Sequence, residues 1–355
     1  MNKKKILFLG ETYRADAITW MNGLKEFGSF EIFTWELLQA GTGLNKAKRA
    51  IEMVSRIKEL KQKIILLKPD LIIAERVTSY GFIGSLFYKY APVIIAQQGI
   101  SDIFPAKGIL VPLKNKIQQF AFKHATLIHA WGNAMTPSML KNKANPEKIL
   151  VLSKGIDLRN FIYNPVIKDE KIRAIVTRSL GIDYRHETIF KAFEILKNKN
   201  IGFELIIIGD GPLMETLKKS AFNKNIATSI IFTGRIDNKL LPQYLANSDL
   251  YISMPCSEGV SSSLFEAMAC GCYPIVSNLP GNRAWIIEGV NGNLVNVDDV
   301  QGLAKALEWY ANNRKNLQNL LIKNRETIEQ KSSYQKNMET ICKKYHQIIE
   351  NRSCE

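Results

Sequence analysis

The sequence predicts an α/β protein built from two domains, each a parallel sheet covered by helices. Three observations support this prediction. The chain has 355 residues, which is more than one small core requires. Short apolar runs alternate with amphipathic helical patterns in both halves, as is typical of parallel sheets. A polar stretch that contains a proline, residues 161–172, separates the two halves and predicts a linker.

The first half, residues 1–160, begins with the apolar run KKILFLG, which has the composition of a buried strand. Four later runs share this composition. A basic segment with apolar residues at three- and four-residue steps predicts one long helix whose apolar side packs on the sheet. The expected strands cover 4–10, 70–75, 92–97, 125–130 and 148–153, and the expected helix covers 45–68. Together they predict a Rossmann-like domain.

The second half, residues 173–330, repeats the alternation and predicts a second domain of the same kind. Its strands are expected at 173–179, 203–211, 229–235, 249–255 and 272–278, and its helices at 187–198, 212–222, 239–247, 263–270 and 300–312. Residues 331–355 predict a final helix that either caps this domain or returns to the first one. Ligands of such sheets bind at the carboxyl ends of the strands, so two facing domains would hold a ligand in a central cleft.

The composition is that of a soluble globular protein, with 46% hydrophobic and 23% charged residues. No apolar run approaches the roughly 18–20 residues that span a bilayer. The start, MNKKKILFLG, is too short for a signal peptide because Glu11, Arg14 and Asp16 interrupt its apolar character. We therefore expect a cytoplasmic protein.

The cysteines predict no metal site. The chain has five of them and no CxxC pair, which fits a reducing compartment. Cys256, Cys270 and Cys272 are close in sequence, but their spacing matches no zinc pattern and no histidine is nearby. We expect buried free thiols.

The net charge of +15 is concentrated in the first half. Residues 1–165 contain 24 Lys and Arg against 12 Asp and Glu, which leaves +3 for the remainder. A basic surface attracts polyanions, and segments 45–68 and 107–124 mix lysines with apolar residues in the way that suits an anionic membrane. A lysine-rich genome would give the same charge without any partner. Nucleic acid is disfavoured because no recognition motif is present.

Two glutamates, Glu258 and Glu266, form the most informative motif. Seven residues separate them. The small-residue segment 259–263 follows Glu258, and the helix-like apolar run 264–269 contains Glu266. Free N–H groups and the positive end of a helix dipole suit a phosphate, while carboxylates accept hydrogen bonds from hydroxyls. The motif therefore predicts a site for a sugar joined to a diphosphate, with backbone contacts from Gly259, Val260, Ser261 and Ser262.

Further candidates follow the predicted strands of the second half. Gly209 and Gly211 in the sequence GDGP permit close backbone approach at a strand-to-helix turn. Arg178 follows the strand AIVT, where its fork of donors can grip a diphosphate, and Arg185 lies in the same loop. Taken singly, each of these is also consistent with an ordinary turn or a solvated loop.

The combined order of these motifs resembles the retaining glycosyltransferases of family 4, which have the GT-B fold of two Rossmann-like domains. The resemblance covers most of the chain and is strongest from about residue 148 to residue 300. The motifs that carry it are the E-x7-E pair Glu258 and Glu266 with the continuation EAMACGCYPIVS, the GxGP element 209–212, the FxGR element 232–235 and the GID sequence 155–157.

The resemblance implies a role for each matching residue. Glu266 is expected to hold the ribose hydroxyls of a nucleotide-sugar, Glu258 to contact the donor sugar, and Arg178 to stabilise the leaving diphosphate. Backbone at Arg235 and Ile236 is expected to meet the base. The remaining donor contacts fall on Gly209, Gly211, Gly259, Val260, Ser261 and Ser262.

The resemblance also implies the reaction and its partners. The donor is expected to be a UDP- or GDP-sugar, with no cofactor and no metal, and the sugar is expected to keep its anomeric configuration. The acceptor is expected to be a glycan or a lipid-linked molecule of cell-surface polysaccharide synthesis, reached at the inner face of the membrane. The first domain would bind it near Gly10, Arg14, Gln98 and Asp102.

Two departures from the family leave alternatives open. The usual lysine after the arginine is replaced by Tyr184, with Arg185 next to it as a substitute. The usual first-domain histidine is replaced by the sequence Gln97-Gln98-Gly99. A non-catalytic GT-B subunit that supports an active partner is one alternative. A nucleotide-sugar epimerase is another, although no paired acid and base for proton transfer is evident.

Overall fold

The chain divides into two compact units. A computed structural model describes residues 3–38, 45–99, 111–164 and 171–353. Unit 1 comprises Met1–Lys154 with Gln335–Glu355, and unit 2 comprises Gly155–Tyr334. Each unit contains a six-stranded sheet whose strands are all parallel. The predicted α/β class with two parallel-sheet domains is confirmed.

The sheet of unit 1 has the strand order β2-β1-β3-β4-β5-β6. Its central strands are apolar along their whole length because helices cover both faces, and Ile6, Leu7 and Phe8 are fully buried. The sequence patterns located five of these strands and missed β2, in which only Trp35 is fully buried. The strands are β1 Lys5–Leu9, β2 Glu31–Trp35, β3 Leu71–Glu75, β4 Val93–Gln97, β5 Leu127–Ala130 and β6 Ile149–Val151.

The helices of unit 1 differ from the prediction in one important place. The expected single helix 45–68 is two helices with a break at Arg56. Of its expected core-facing residues, Leu60 and Ile64 are buried, whereas Ile51 and Val54 are exposed. The helices are α1 Ala15–Gly28, α2 Asn45–Ser55, α3 Ile57–Leu67, α4 Phe82–Ser85, α5 Val111–His124 and α6 Thr136–Lys141.

The sheet of unit 2 has the strand order β12-β11-β10-β7-β8-β9. Its first five strands agree with the predicted runs, and only the short edge strand β12 was not anticipated. The strands are β7 Ile172–Val176, β8 Phe203–Ile208, β9 Ile230–Gly234, β10 Leu250–Ser253, β11 Tyr273–Ser277 and β12 Asn293–Val295.

Helices cover both faces of this second sheet, and each face has its own apolar core. The five predicted helices of this half are present, with ends that differ by at most two residues. They are α7 His186–Asn198, α8 Met214–Asn223, α9 Leu241–Ala246, α10 Ser262–Cys270 and α12 Val300–Asn313. The further helices are α11 Pro280–Arg283 and α13 Gln318–Lys331.

The last helix, α14 (Tyr334–Ser353), follows unit 2 in the chain but packs within unit 1. The hydroxyl of Tyr345 lies 2.8 Å from Nδ1 of His129 on β5, and both side chains are buried. His346 stacks on Phe30 with ring centroids 4.3 Å apart. These contacts join α14 to the sheet and to the end of α1.

No helix among the described residues is long and apolar enough to cross a membrane. Cys256, Cys270, Cys272 and Cys342 are free thiols. Burial raises the pKa of the Cys270 and Cys342 thiols to about 12, so both are neutral packing groups. Within the described parts of the chain, no three His, Cys, Asp or Glu side chains are grouped so that they could hold a metal ion.

Candidate active site

The predicted site residues of unit 2 converge at the carboxyl edge of its sheet. Arg178 lies two residues beyond β7, and Glu258 lies in the loop that leads from β10 to α10. Because β7 and β10 are neighbours in the sheet, their carboxyl ends bring these two side chains together. This edge is where parallel sheets bind their ligands.

Arg178 is the centre of a polar cluster. Its Nε donates to Oγ of Ser253 at 3.0 Å, and its Nη2 donates to Oγ of Ser261 at 2.6 Å. The same Nη2 also donates to Oε2 of Glu258. The Arg178 and Glu258 side chains are only 15% and 11% exposed, so water screens this ion pair weakly. The ring of Tyr184 completes the cluster, with its centroid 5.7 Å from Cζ of Arg178.

The charge of Arg178 is permanent in this setting. Burial alone would lower the pKa of the guanidinium, but the neighbouring Tyr251, Glu258 and Tyr184 outweigh it and raise the pKa above its ordinary value. Among the described residues, none accepts a hydrogen bond from the remaining nitrogen, Nη1. The cluster therefore holds a permanently charged guanidinium whose Nη1 has no acceptor in the described part of the chain and can donate to a bound anion.

The amino end of α10 lies against this cation. Ser261 is the N-cap of the helix, and its Oγ accepts from the N–H of Leu264 at 3.3 Å while also accepting from Arg178. No described residue accepts from the N–H groups of Val260, Ser262 or Ser263. The free N–H groups and the helix dipole add to the positive potential of Arg178, which favours a bound anion.

A cavity of about 360 Å3 opens beside the same helix. Glu266 and Ser263 of α10 form part of its wall, and Gly209, Arg235 and Ile236 form another part. Its wall combines apolar side chains with a few polar groups, as small-molecule sites do. The lining residues are Phe161, Thr177, Ile208, Gly209, Arg235, Ile236, Asn238, Leu241, Ser263 and Glu266.

Gly209 and Gly211 are explained first by packing between two loops. Gly209 has a φ of +144°, and a Cβ there would lie 2.3 Å from the carbonyl oxygen of Arg178. A Cβ on Gly211 would lie 2.6 Å from the carbonyl oxygen of Leu180. The glycines thus let the GDGP turn lie directly on the loop that carries Arg178. Of the two, Gly209 also lines the cavity.

Arg185 points away from the cluster. Its backbone is left-handed, with a φ of 52°, and it precedes the first residue of α7. Its Nε lies 2.8 Å from Oδ1 of Asp298, and its Nη1 donates to the carbonyl of Ile182. The structure therefore brings Tyr184, and not Arg185, against Arg178. Tyr251 and Ser253 were not singled out by sequence reasoning, because a hydroxyl within an apolar strand carries no motif.

In unit 1 the candidates Gly10 and Gln98 lie around a buried acid that the sequence patterns missed. Glu75, at the end of β3, is 2% exposed and accepts from the amide of Gln98 at 2.6 Å and from the N–H of Glu11 at 3.1 Å. A Cβ on Gly10 would lie 2.4 Å from Oε2 of Glu75, so the backbone can pack this closely on the carboxyl only because residue 10 has no side chain.

Burial raises the pKa of Glu75 to about 7, against the opposing effect of its two hydrogen-bond donors and of the nearby arginines. Arg14 and Arg76 both donate to Glu11 beside it, at 3.2 Å and 2.7 Å. The sequence signal that could have identified Glu75 was an acidic residue at the end of the apolar strand LIIAE. Asp102, the fourth candidate of this half, lies outside the described residues.

Sequence comparison places unit 2 near known glycosyltransferases. Residues 160–327 match the family model described as Glycosyl transferases group 1. An uncharacterized glycosyltransferase of Methanocaldococcus jannaschii, MJ1069, is 29% identical over 61% of this chain and 59% of its own length. The protein CapJ of Staphylococcus aureus is 28% identical over 62% of this chain and 58% of its own length. The matches thus span under two thirds of these relatives.

Solved structures confirm the GT-B fold over nearly the whole chain. Anabaena HepE in complex with UDP has a TM-score of 0.80 at 14% identity and covers 98% of this chain and 100% of its own. The sucrose-phosphate synthase of Thermosynechococcus elongatus has the same TM-score, identity and coverage. At this identity the likeness concerns the architecture alone.

Proposed function

We propose that this protein is a retaining, metal-independent glycosyltransferase that moves a sugar from a nucleotide-sugar to a glycan or lipid-linked acceptor. The observation that carries the proposal is the cluster of Arg178, Glu258 and Ser261 at the amino end of α10. An anion site suits the diphosphate of such a donor, a carboxylate suits its sugar, and the cavity beside them suits its nucleoside. The family model that matches residues 160–327 supports the same chemistry.

Each part of the donor has a place in unit 2. The diphosphate lies against Nη1 of Arg178 and the free N–H groups at the start of α10, where cationic and dipolar groups converge. The nucleoside occupies the cavity, with the ribose hydroxyls donating to Glu266 and the base meeting the backbone at Arg235 and Ile236. The sugar lies at Glu258.

The reaction breaks the bond between the anomeric carbon and the phosphate oxygen and forms a bond to the acceptor oxygen on the same face. The acceptor proton passes to the departing phosphate oxygen. Arg178 and the amino end of α10 stabilise the charge that develops on the diphosphate. Glu258 is held by Arg178 and positions the sugar hydroxyls. Because the acceptor oxygen attacks the same face in the proposed reaction, Glu258 does not act as a nucleophile.

The donor base is uracil or guanine. The solved HepE structures contain UDP or UDP-glucose. A relative in Mycolicibacterium smegmatis, 28% identical over 34% of this chain, is a GDP-mannose-dependent phosphatidylinositol monomannoside mannosyltransferase. The lipid in this name, and in the name of the alpha-monoglucosyldiacylglycerol synthase of Streptococcus pneumoniae, supports a lipid-linked acceptor. We place the reaction in the synthesis of a cell-surface polysaccharide.

A non-catalytic GT-B subunit is the second candidate. It is favoured by the absence of a second cation beside Arg178 among the described residues, where the ring of Tyr184 lies instead. Such a subunit would bind a nucleotide or a partner protein without turning over a donor.

Donor turnover distinguishes the two candidates. The purified protein is incubated with UDP- and GDP-sugars and lipid or glycan acceptors, with and without EDTA, and product configuration is determined by NMR. We expect one donor to be consumed equally with and without EDTA, with retention at the anomeric carbon. The Glu258→Gln variant should lose turnover and keep its fold. Inversion, dependence on a metal, or an unaffected variant would contradict the proposal.

A further inference from the structure

Three apolar side chains beside α2 are exposed to solvent. Leu38, Ile51 and Val54 are 78%, 71% and 72% exposed, and we call them the α2 patch. Ile51 and Val54 are three residues apart and so lie on the same side of α2. Single exposed apolar residues are common, but here two lie on one side of a helix that the sequence predicted to be packed, and the Leu38 N–H is hydrogen-bonded to Glu52 between them.

The α2 helix is oriented with its polar side inward. The Glu52 side chain is only 12% exposed, and it accepts from the N–H of Leu38 at 2.6 Å and from Nη1 of Arg56 at 3.2 Å. Arg56 also donates to the carbonyl of Glu36 at 2.7 Å and lies over the ring of Trp35. These contacts hold the joint between α2 and α3 against the end of β2, so Ile51 and Val54 face outward.

Exposed basic residues flank the patch in the sequence. On α3, Lys58, Lys61 and Ile65 share one exposed face because they are three to four residues apart. Lys48 on α2 is exposed as well. Lys63 differs from these, since its Nζ donates to the carbonyl of Thr34 at 2.7 Å and is part of the fold.

We propose that the α2 patch and the lysines beside it dock unit 1 on an anionic membrane surface. Apolar side chains flanked by lysines insert into the headgroup region, and nearby basic residues add electrostatic attraction to anionic lipid. A second copy fits less well, because three side chains cover far less than the roughly 800 Å2 that a stable interface buries on each partner. The net charge of +15 agrees with an anionic partner.

This inference does not depend on the donor site. The patch belongs to unit 1, and the proposed donor residues all belong to unit 2. Either proposal can fail while the other holds, because nucleotide binding reports on the donor site and not on the membrane-docking surface.

Vesicle sedimentation tests the docking surface with one apolar and one charge variant. The apolar variant is Ile51→Ser with Val54→Ser, and the charge variant is Lys58→Glu with Lys61→Glu. The matched control is Ile287→Ser with Val290→Ser, which removes two similarly exposed apolar residues from unit 2. Vesicles of phosphatidylcholine alone are compared with vesicles that also contain phosphatidylglycerol.

We expect the parent protein and the control to bind only the anionic vesicles. The apolar and charge variants should each bind at least about fivefold more weakly, with unchanged nucleotide affinity and thermal unfolding. Parent-like binding by the apolar variant would overturn the proposal. So would a dimeric parent that becomes monomeric in this variant, because a second copy of the chain would then cover the patch.

Discussion

Arg178 shows how one residue can combine several requirements of the proposed site. Its guanidinium contacts Ser253, Ser261 and Glu258 at once, and Nη1 is directed to no described acceptor. A planar fork of donors suits this arrangement, whereas the ammonium of a lysine would be a single point charge. The fork fixes the β10 loop, the cap of α10 and the anion site relative to each other.

Arg178→Lys should therefore reduce turnover by about 100-fold, because one ammonium cannot hold three oxygens and a phosphate. Steady-state kinetics and thermal unfolding measure the change, and we expect little effect on unfolding. Arg185→Lys is the matched control, since Arg185 pairs with Asp298 outside the cluster. Equal losses in the two variants would contradict the assignment of Arg178 as the diphosphate ligand.

Glu75 should make the stability of unit 1 depend on pH. Its pKa is about 7 in the folded state against an ordinary value of 4.5, so the folded state retains the proton longer than the unfolded chain. The contribution is fully present below pH 4.5 and is lost as pH rises towards 7. Over this window, the loss should be on the order of 2 kcal/mol.

Urea unfolding from pH 4.5 to 7 measures this effect in the parent and in Glu75→Gln. The variant cannot ionise at this position. The unfolding free energy of the parent should therefore fall relative to that of the variant as pH rises. Arg14, Arg76 and Glu11 face the carboxyl and remain unchanged in both proteins. Parallel pH profiles would show that the pKa of Glu75 is the same in the folded and unfolded states, and would contradict the shift.

At the scale of elements, the GDGP turn is defined by its contact with another loop. Gly209→Ala places a Cβ against the carbonyl oxygen of Arg178, whereas Gly234→Ala meets nothing within 4 Å. Both glycines have positive φ, +69° at Gly234 and +144° at Gly209, and the second value is the more strained for an alanine. Gly234→Ala therefore reports left-handed strain alone, whereas Gly209→Ala adds greater strain and a clash with the Arg178 loop.

Gly209→Ala should lower the unfolding free energy of unit 2 by about 3 kcal/mol and weaken nucleotide binding, because the Arg178 loop must move. Gly234→Ala should lower it by about 1 kcal/mol, the strain of a left-handed residue. Denaturant unfolding followed by nucleotide titration measures both effects. Equal destabilisation of the two variants would mean that the contact with Arg178 is readily relieved.

Elements were predicted from the sequence where local pattern decides them. The apolar runs located ten of the twelve strands, and the E-x7-E motif located the start of α10. The pattern failed for α2, where Glu52 and Arg56 bind Leu38 and Glu36 and turn the apolar side outward. Hydrophobic periodicity assumes that the apolar side is buried, and no local signal marks an inverted helix.

In the whole molecule, the last segment of the chain belongs to unit 1 although it follows unit 2 in the sequence. The sequence left open whether the last helix caps the second domain or returns to the first, and α14 packs within unit 1 through Tyr345 and His346. Such a long-range contact depends on His129 and Phe30, more than 200 residues earlier, so no local pattern could have resolved it. The cluster around Glu75 was missed for the same reason.

We propose that unit 2 binds the nucleotide of a sugar donor through Glu266. The decisive measurement is isothermal titration of the purified protein with UDP, GDP and ADP, with and without EDTA, beside Glu266→Ala and the surface control Glu215→Ala. We expect selective binding of UDP or GDP that EDTA leaves unchanged, that Glu266→Ala loses and that Glu215→Ala retains. Absence of binding by all three nucleotides, or undiminished affinity in Glu266→Ala, would contradict it.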